Sequence, residues 1–297
     1  MAPAVFTGTT VALLHLFSGS ERDRVMGWRT SATTLGGVVW PLLAGVLGET
    51  SWHGAFAVYL VGLPLGLAVL HILPPSTPTE TSNHNEVGIV SLLRSSPTLL
   101  GLYAVMFSIG VMIYVPAVFL PARLGHIGIT STLIVALYAV AIQAATAGMV
   151  GLAYAPLRRR LSAVMLLRGA ALAWVLGFVV LGLVDQPILL LLAPVFSGVG
   201  NGLALPSLTV LIADQTPPEA YGWATALQGT AMFSGQFISP LVAGPLIAAT
   251  SYTTGFLATA LIALVVFGGL LRLRPGAIAA ERTESHIRAE KLSSGNP

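Results

Sequence analysis

The sequence predicts an all-α integral membrane fold with about nine transmembrane helices, and three observations carry that prediction. Of its 297 residues, 55% are hydrophobic and only 8% are charged, where a water-soluble domain carries about 25% charged residues. Its mean hydropathy is +0.85. The charges gather in a few breaks, and between them run apolar stretches close to the roughly 20 residues that a helix needs to cross a hydrocarbon core of about 30 Å. Alternating segments of about 10 residues, the mark of a transmembrane barrel, are missing.

Taken in order, the apolar runs predict spans at about 2–17, 29–48, 54–73, 98–120, 131–154, 163–184, 188–213, 223–249 and 254–272. Most breaks are tight turns, such as Gly48 to Gly54 and Asp185 to Pro187. The stretch 74–97 differs, because its Pro, Ser, Thr and Asn residues read as a linker. The expected organisation is therefore a three-span bundle at 1–73, a cytoplasmic linker at 74–97, a six-helix bundle at 98–274 and a polar cytoplasmic tail at 275–297. Residues 1–17 lack the basic start of a cleavable signal peptide.

Basic residues set the orientation, since loops retained in the cytoplasm hold the excess of Lys and Arg. Arg22, Arg24, Arg29, Arg94, Arg158, Arg159, Arg160, Arg168, Arg272 and Arg274 all fall on one side of the predicted spans, and Arg123 lies opposite. That sorting expects Met1 outside and Pro297 in the cytoplasm, in a multi-pass protein of the plasma membrane.

Several function classes are disfavoured by residue types alone. Without cysteine there is no disulfide, iron–sulfur cluster or thiol nucleophile. The six histidines are scattered with no i, i+4 pair for a metal, and no G-x-x-x-x-G-K-[ST] loop is present to bind ATP phosphates. The net charge of +3 sits in loops, not on a face for nucleic acid. No cofactor is expected.

The chain also repeats a pattern. Gly36, Pro41 and Gly45 in the second span have the spacing G-x4-P-x3-G, and Gly235, Pro240 and Gly244 in the eighth span have the same spacing. A Gly-Trp pair precedes each, Gly27-Trp28 and Gly222-Trp223. Proline inside a helix removes a hydrogen bond, so Pro41 frees the carbonyl of Gly37 and Pro240 frees that of Gln236. Glycines at such spacing either form ordinary packing grooves or mark helices that flex. Duplicated halves with proline-interrupted helices are one design of secondary transporters.

On these residues the chain resembles the major facilitator superfamily, in particular its drug:proton antiporter branch. The antiporter motif of that branch reads G-x8-G-x3-G-P-x2-G-G, and Gly27, Gly36, Pro41 and Gly45 fall on four of its six positions, while Trp40 and Ala44 replace two glycines. The resemblance covers residues 1–274 and implies that the spans correspond to the family's helices four to twelve, with the second half complete and the first half truncated by three helices. It also implies that Arg158, Arg159 and Arg160 belong to the cytoplasmic basic loop between helices eight and nine. Tyr154, Ala155 and Pro156 stand where the usual acidic residue of that loop is expected.

Every one of the 11 Asp and Glu residues lies in a loop, at a span end or in the tail. Buried carboxylates in membranes are costly and functional, so a proton-coupling acid belongs outside this sequence, or the protein does not couple. The mid-span residues that remain are Tyr103, Phe107, Tyr114, Tyr138, Gln143, Asn201, Gln228, Met232, Phe233 and Gln236. Each either lines a cavity for amphipathic molecules, where aromatic and Met side chains give broad contacts, or packs and hydrogen-bonds between helices. Asn201 leads, because it lies between Pro194 and Pro206 in Ser197-Gly-Val-Gly-Asn-Gly202, a stretch expected to break its helix. The expected function is a secondary transporter exporting small amphipathic or drug-like molecules by alternating access, with the bilayer and the substrate as partners and protons as a candidate coupling ion. The alternatives are a non-transporting remnant, a partner-dependent membrane subunit, or a lipid-modifying enzyme, the last lacking the arranged acids or histidines that chemistry needs.

Overall fold

The computed structural model describes residues 19–72, 97–216 and 221–272. Among these residues all regular structure is helical. Helix α1 spans Gly19–Thr50, and α2 is assembled from Trp52–Ala57, a 3₁₀ turn Val58–Val61, and Gly62–Ile72. The linker is followed by α3 (Pro97–His126), α4 (Thr132–Arg158), α5 (Ala163–Leu183), α6 (Pro187–Asp214), α7 (Tyr221–Ala249) and α8 (Tyr252–Arg272). Six of these, α3 to α8, are long and apolar enough to cross a bilayer, and shorter apolar runs lie at Leu35–Glu49 and Trp52–Ala68. The span expected at 2–17, the linker short of Pro97 and the tail fall outside the described residues.

Two boundaries differ from the expectation. Arg22 and Arg24, expected in a loop, lie within α1, because Gly19 to Thr30 contains no proline and is rich in good helix formers. The span expected at 54–73 is interrupted by its 3₁₀ turn, where three residues with β-branched or aromatic side chains precede Pro64. Pro64 falls in the first turn of the new helical segment, where its missing N–H would have had no partner in any case.

Prolines and hydroxyls in the spans are dealt with locally, as a medium without water demands. Pro240 cannot donate to Gln236, and the Ser239 hydroxyl donates to that carbonyl instead, at 3.0 Å. Ser108, Thr209, Thr230 and Thr259 each donate to the carbonyl four residues back, at 2.9 Å. Ser131 and Ser162 cap α4 and α5, accepting from Ile134 N–H at 3.4 Å and Met165 N–H at 3.2 Å.

The core lies within α3 to α8, centred on Trp174, Phe178, Phe256, Met106 and Leu99, all essentially buried. Small residues set its close approaches. A methyl group at Gly110 of α3 would stand 2.0 Å from the Met232 carbonyl oxygen, and one at Gly235 of α7 would stand 2.1 Å from the Phe107 carbonyl oxygen. Those two helices run parallel and cross backbone to backbone. Helix α6 packs on α4 through Gly198 and Gly202, whose added methyls would meet the carbonyl oxygens of Gln143 and Ala147 at 2.7 Å, and on α5 through Gly200 against Trp174. Helix α8 is tied to α5 at both ends, by Thr253 donating to the Gly182 carbonyl at 2.9 Å and by Arg168 donating to the Leu270 carbonyl at 3.0 and 3.1 Å.

The outward faces carry large apolar side chains, including Met149, Leu152, Phe237, Leu241 and Val265. Surface of this kind on many helices suits lipid as solvent, and the chain is a multi-pass membrane protein.

Candidate functional site

Helix α1, which carries the first copy of the repeated motif, docks along α4 of the six-helix bundle. The two run antiparallel. A methyl at Gly37 would lie 3.3 Å from Ala144 Cβ, and one at Gly45 would lie 3.0 Å from both Ala136 Cβ and Leu133 Cα. Each pair of contacts is separated by eight residues on both helices, so one straight seam is formed. At its end Glu49 accepts hydrogen bonds from the Ser131 hydroxyl and, at 3.4 Å, from Leu133 N–H.

The repeat keeps its spacing but not its use. In α1 the second motif glycine, Gly45, makes the close contact, while Gly36 faces only the Trp40 ring of its own helix at 3.3 Å. In α7 the first motif glycine, Gly235, makes it, and Gly244 has ordinary contact with Phe119 at 3.7 Å. Gly27 lies within α1. Trp40 lines an apolar groove of about 630 Å³ between α1 and α2, together with Pro41, Ala44, Phe56, Tyr59 and Leu65. None of the ten candidate cavity residues lines that groove.

Those ten residues fall into groups. Tyr103 is buried, and its hydroxyl donates to the Ala224 carbonyl at 3.1 Å, joining α3 to α7. Tyr138 is also buried, within a π-helical turn at Leu137–Ala141, and donates to the Pro187 carbonyl at 2.8 Å. Both phenols are occupied in tying helices together. Phe107, Met232, Phe233 and Gln236 gather at the α3–α7 crossing and are half-buried, while Tyr114 is exposed. Gln228 donates to the Thr209 hydroxyl at 2.8 Å, linking α7 to α6. Gln143 is half-buried beside Gly198, where α4 meets α6.

Asn201 is 9% exposed, and its Oδ1 has no hydrogen-bond partner among the described residues. The break expected around it does not occur, since Leu192–Asp214 is continuous through Pro194 and Pro206. The glycines of this stretch let the neighbouring helices close in, and that packing keeps the helix intact. Arg158 ends α4 and donates to the Leu161 carbonyl at 3.2 Å, while Arg159 and Arg160 are exposed in the turn that follows.

Sequence reasoning missed Gly37, Gly110, Glu49, Ser131 and Thr209. Ser131 was findable as a serine directly before an apolar run, a helix-start signal. The others depend on which face meets a neighbour, and sequence spacing within one helix does not carry that.

A sequence model of the Major Facilitator Superfamily matches residues 1–240 and, in a second match, residues 138–294. No curated protein matches the chain. Among solved structures, a crystal structure of a variant of the peptide transporter POT in complex with sulfate is similar, with a TM-score of 0.54 at 17% sequence identity. That likeness covers 66% of this chain and 43% of the other, so the chain spans less than half the length of that transporter. An all-helical membrane fold, a helix docked antiparallel along a six-helix bundle and a family match over residues 1–240 agree: the chain belongs to the Major Facilitator Superfamily.

Proposed function

We propose that this protein is a secondary transporter that exports small amphipathic, drug-like molecules by alternating access, with protons as coupling ion, in the manner of the drug:proton antiporter branch. The observation that carries the reading is the α1–α4 seam. It joins a helix of the first half, bearing four antiporter-motif residues, to the six-helix second half along one antiparallel line whose closest approaches fall at Gly37 and Gly45. Small residues at these close approaches suit two bodies that tilt against each other.

In this reading residues 1–73 belong to the first bundle, 74–97 to the cytoplasmic linker and 98–274 to the second bundle. Residues 275–297 form a cytoplasmic tail. The protein lies in the plasma membrane with Met1 outside. Substrate is held by the half-buried residues Phe107, Gln143, Met232, Phe233 and Gln236, with the unpartnered Oδ1 of Asn201 and the Gln228 amide orienting it. Tyr103, Tyr138 and Tyr114 shape the walls. Pro41 and Pro240 let their helices bend during the cycle.

Whole-cell export of a fluorescent cationic dye tests this, comparing the chain with Asn201→Ala and Pro240→Ala and repeating the measurement after collapse of the proton gradient. Export is expected to fall about tenfold in Asn201→Ala, on the scale of one lost polar contact in a binding site, to fall in Pro240→Ala because its helix loses the bend, and to stop without the gradient. Export unchanged in both variants removes the site assignment. No export from the chain alone, recovered on co-expression with a second membrane protein, favours the partner-dependent subunit instead.

A further inference from the structure

Glu49 occupies an unusual place for a carboxylate in this chain. It closes the last turn of α1, in the first half, yet its hydrogen-bond donors belong to the start of α4, in the second half. Ser131 donates its hydroxyl proton to Glu49 and with the same oxygen accepts from Ile134 N–H, so the cap of α4 and the carboxylate form one chain of hydrogen bonds. Leu133 N–H adds a second donor to the same oxygen. A helix N-terminus offers unpaired N–H groups and partial positive charge, and a carboxylate placed there is favoured on both counts.

The packing beneath is equally specific. One turn before Glu49, Gly45 lies against Ala136, Leu133 and the Thr132 carbonyl oxygen, so closely that a side chain would fit only if these neighbours gave by a few tenths of an ångström. The seam is tighter there than at Gly37. The ion pair at this end, Arg123 with Asp185 at 2.6 Å, stays inside the second half and does not cross the seam.

We propose that Glu49 is a clasp between the two halves. It caps α4 across the seam at the end away from the arginine-rich loops, and its contacts with Ser131 and Leu133 must break before that end of the seam can open. The proposal rests on the alternating-access reading for its role in a cycle, but the clasp itself is a property of the resting structure. The directional hydrogen bonds at the tip of the seam hold the closed position.

The chain has no cysteine, so paired spin labels can be introduced without background. His53→Cys in α2 and Gly125→Cys at the end of α3 place labels on exposed positions in opposite halves, neither of them in the clasp. A methyl at Gly125 meets nothing within 4 Å. Distance distributions would be measured by pulsed electron resonance on the full chain in lipid nanodiscs. Glu49→Ala and Ser131→Ala are each expected to raise the ratio of long to short distances about fivefold, the scale of lost charge-assisted hydrogen bonds in a partly wet site. Glu49→Gln keeps an acceptor oxygen and is expected to shift the ratio less than Glu49→Ala. Distributions that stay at the parent values in Glu49→Ala overturn the clasp, and so does an equal shift in the Gln and Ala variants. The labels report on the seam whether or not anything is transported. Parent distances in Glu49→Ala with dye export intact therefore fail this inference alone, and a moving seam in a chain that exports nothing fails the transport reading alone.

Discussion

At the scale of single residues, glycines carry much of the specificity in this protein, and they are not equivalent. Gly110 and Gly235 each stand where a methyl group would overlap a carbonyl oxygen of the opposite helix. Relief would require α3 and α7 to separate along their length. Gly110→Ala and Gly235→Ala are therefore expected to destabilise the bundle by about 2 kcal/mol or more, the cost of overpacking with no flexible neighbour to yield. Thermal unfolding in detergent, followed by Trp fluorescence, reads this as a lowered midpoint. Gly101→Ala is the control on the same helix, since nothing lies within 4 Å of its added methyl. It is expected to leave the midpoint unchanged or raise it slightly, because alanine is the better helix former. Gly244→Ala, with only ordinary contact, should behave like Gly101→Ala, although it belongs to the same motif as Gly235.

The phenols make a second residue-scale case. Tyr103 and Tyr138 read in the sequence as mid-span aromatics suited to a cavity, and the fold spends both hydroxyls on carbonyls of neighbouring helices. Tyr103→Phe keeps the ring and removes one hydrogen bond, an expected loss of about 1 kcal/mol. Aromatic character was legible; the partner was not. The Ala224 carbonyl lies 121 residues away along the chain.

At the scale of elements, helix ends decide more than helix interiors. Helix α8 ends in carbonyls that have no partner within the helix, and Arg168 from the start of α5 donates to those of Leu270 and Leu271. A cation at a helix C-terminus is favoured by both the free carbonyls and the dipole. Arg168→Gln is expected to speed amide exchange in 264–272 severalfold while leaving α5 protected, as hydrogen–deuterium exchange read by mass spectrometry would show. Equal exchange in both proteins would mean that the helix end is held by its own apolar packing. Span positions from 98 to 272 were readable to within several residues, because hydrophobic length is a property of the chain itself. The 3₁₀ turn in α2 and the π turn in α4 were not readable. Their residues, Val-Tyr-Leu-Val and Leu-Tyr-Ala-Val-Ala, are as apolar as any helical run.

For the whole molecule, exposed apolar residues on the helix faces and the grouping of arginines at one end lead to separate expectations. The protein should remain with membranes after alkaline carbonate washing, which strips peripheral proteins. Sidedness is read with single cysteines. Arg159→Cys, exposed after α4, should react with a membrane-impermeant maleimide only in inside-out vesicles, and Gly125→Cys only in intact cells. The reverse pattern would invert the orientation inferred from the positive-inside rule.

Composition and apolar run length determined that this chain is a helical membrane protein, and a spaced Gly-Pro-Gly motif with one repeat pointed to its family. These follow from local rules, because the bilayer sets how long an apolar segment must be and a proline acts on its own helix. Which glycine becomes a contact, which phenol finds a carbonyl and which carboxylate reaches across the seam were decided by tertiary structure alone. Gly36 and Gly37 are neighbours in sequence, and only Gly37 meets α4. A rotation of about 100° per residue separates packing from exposure, and that rotation is fixed only when another helix docks.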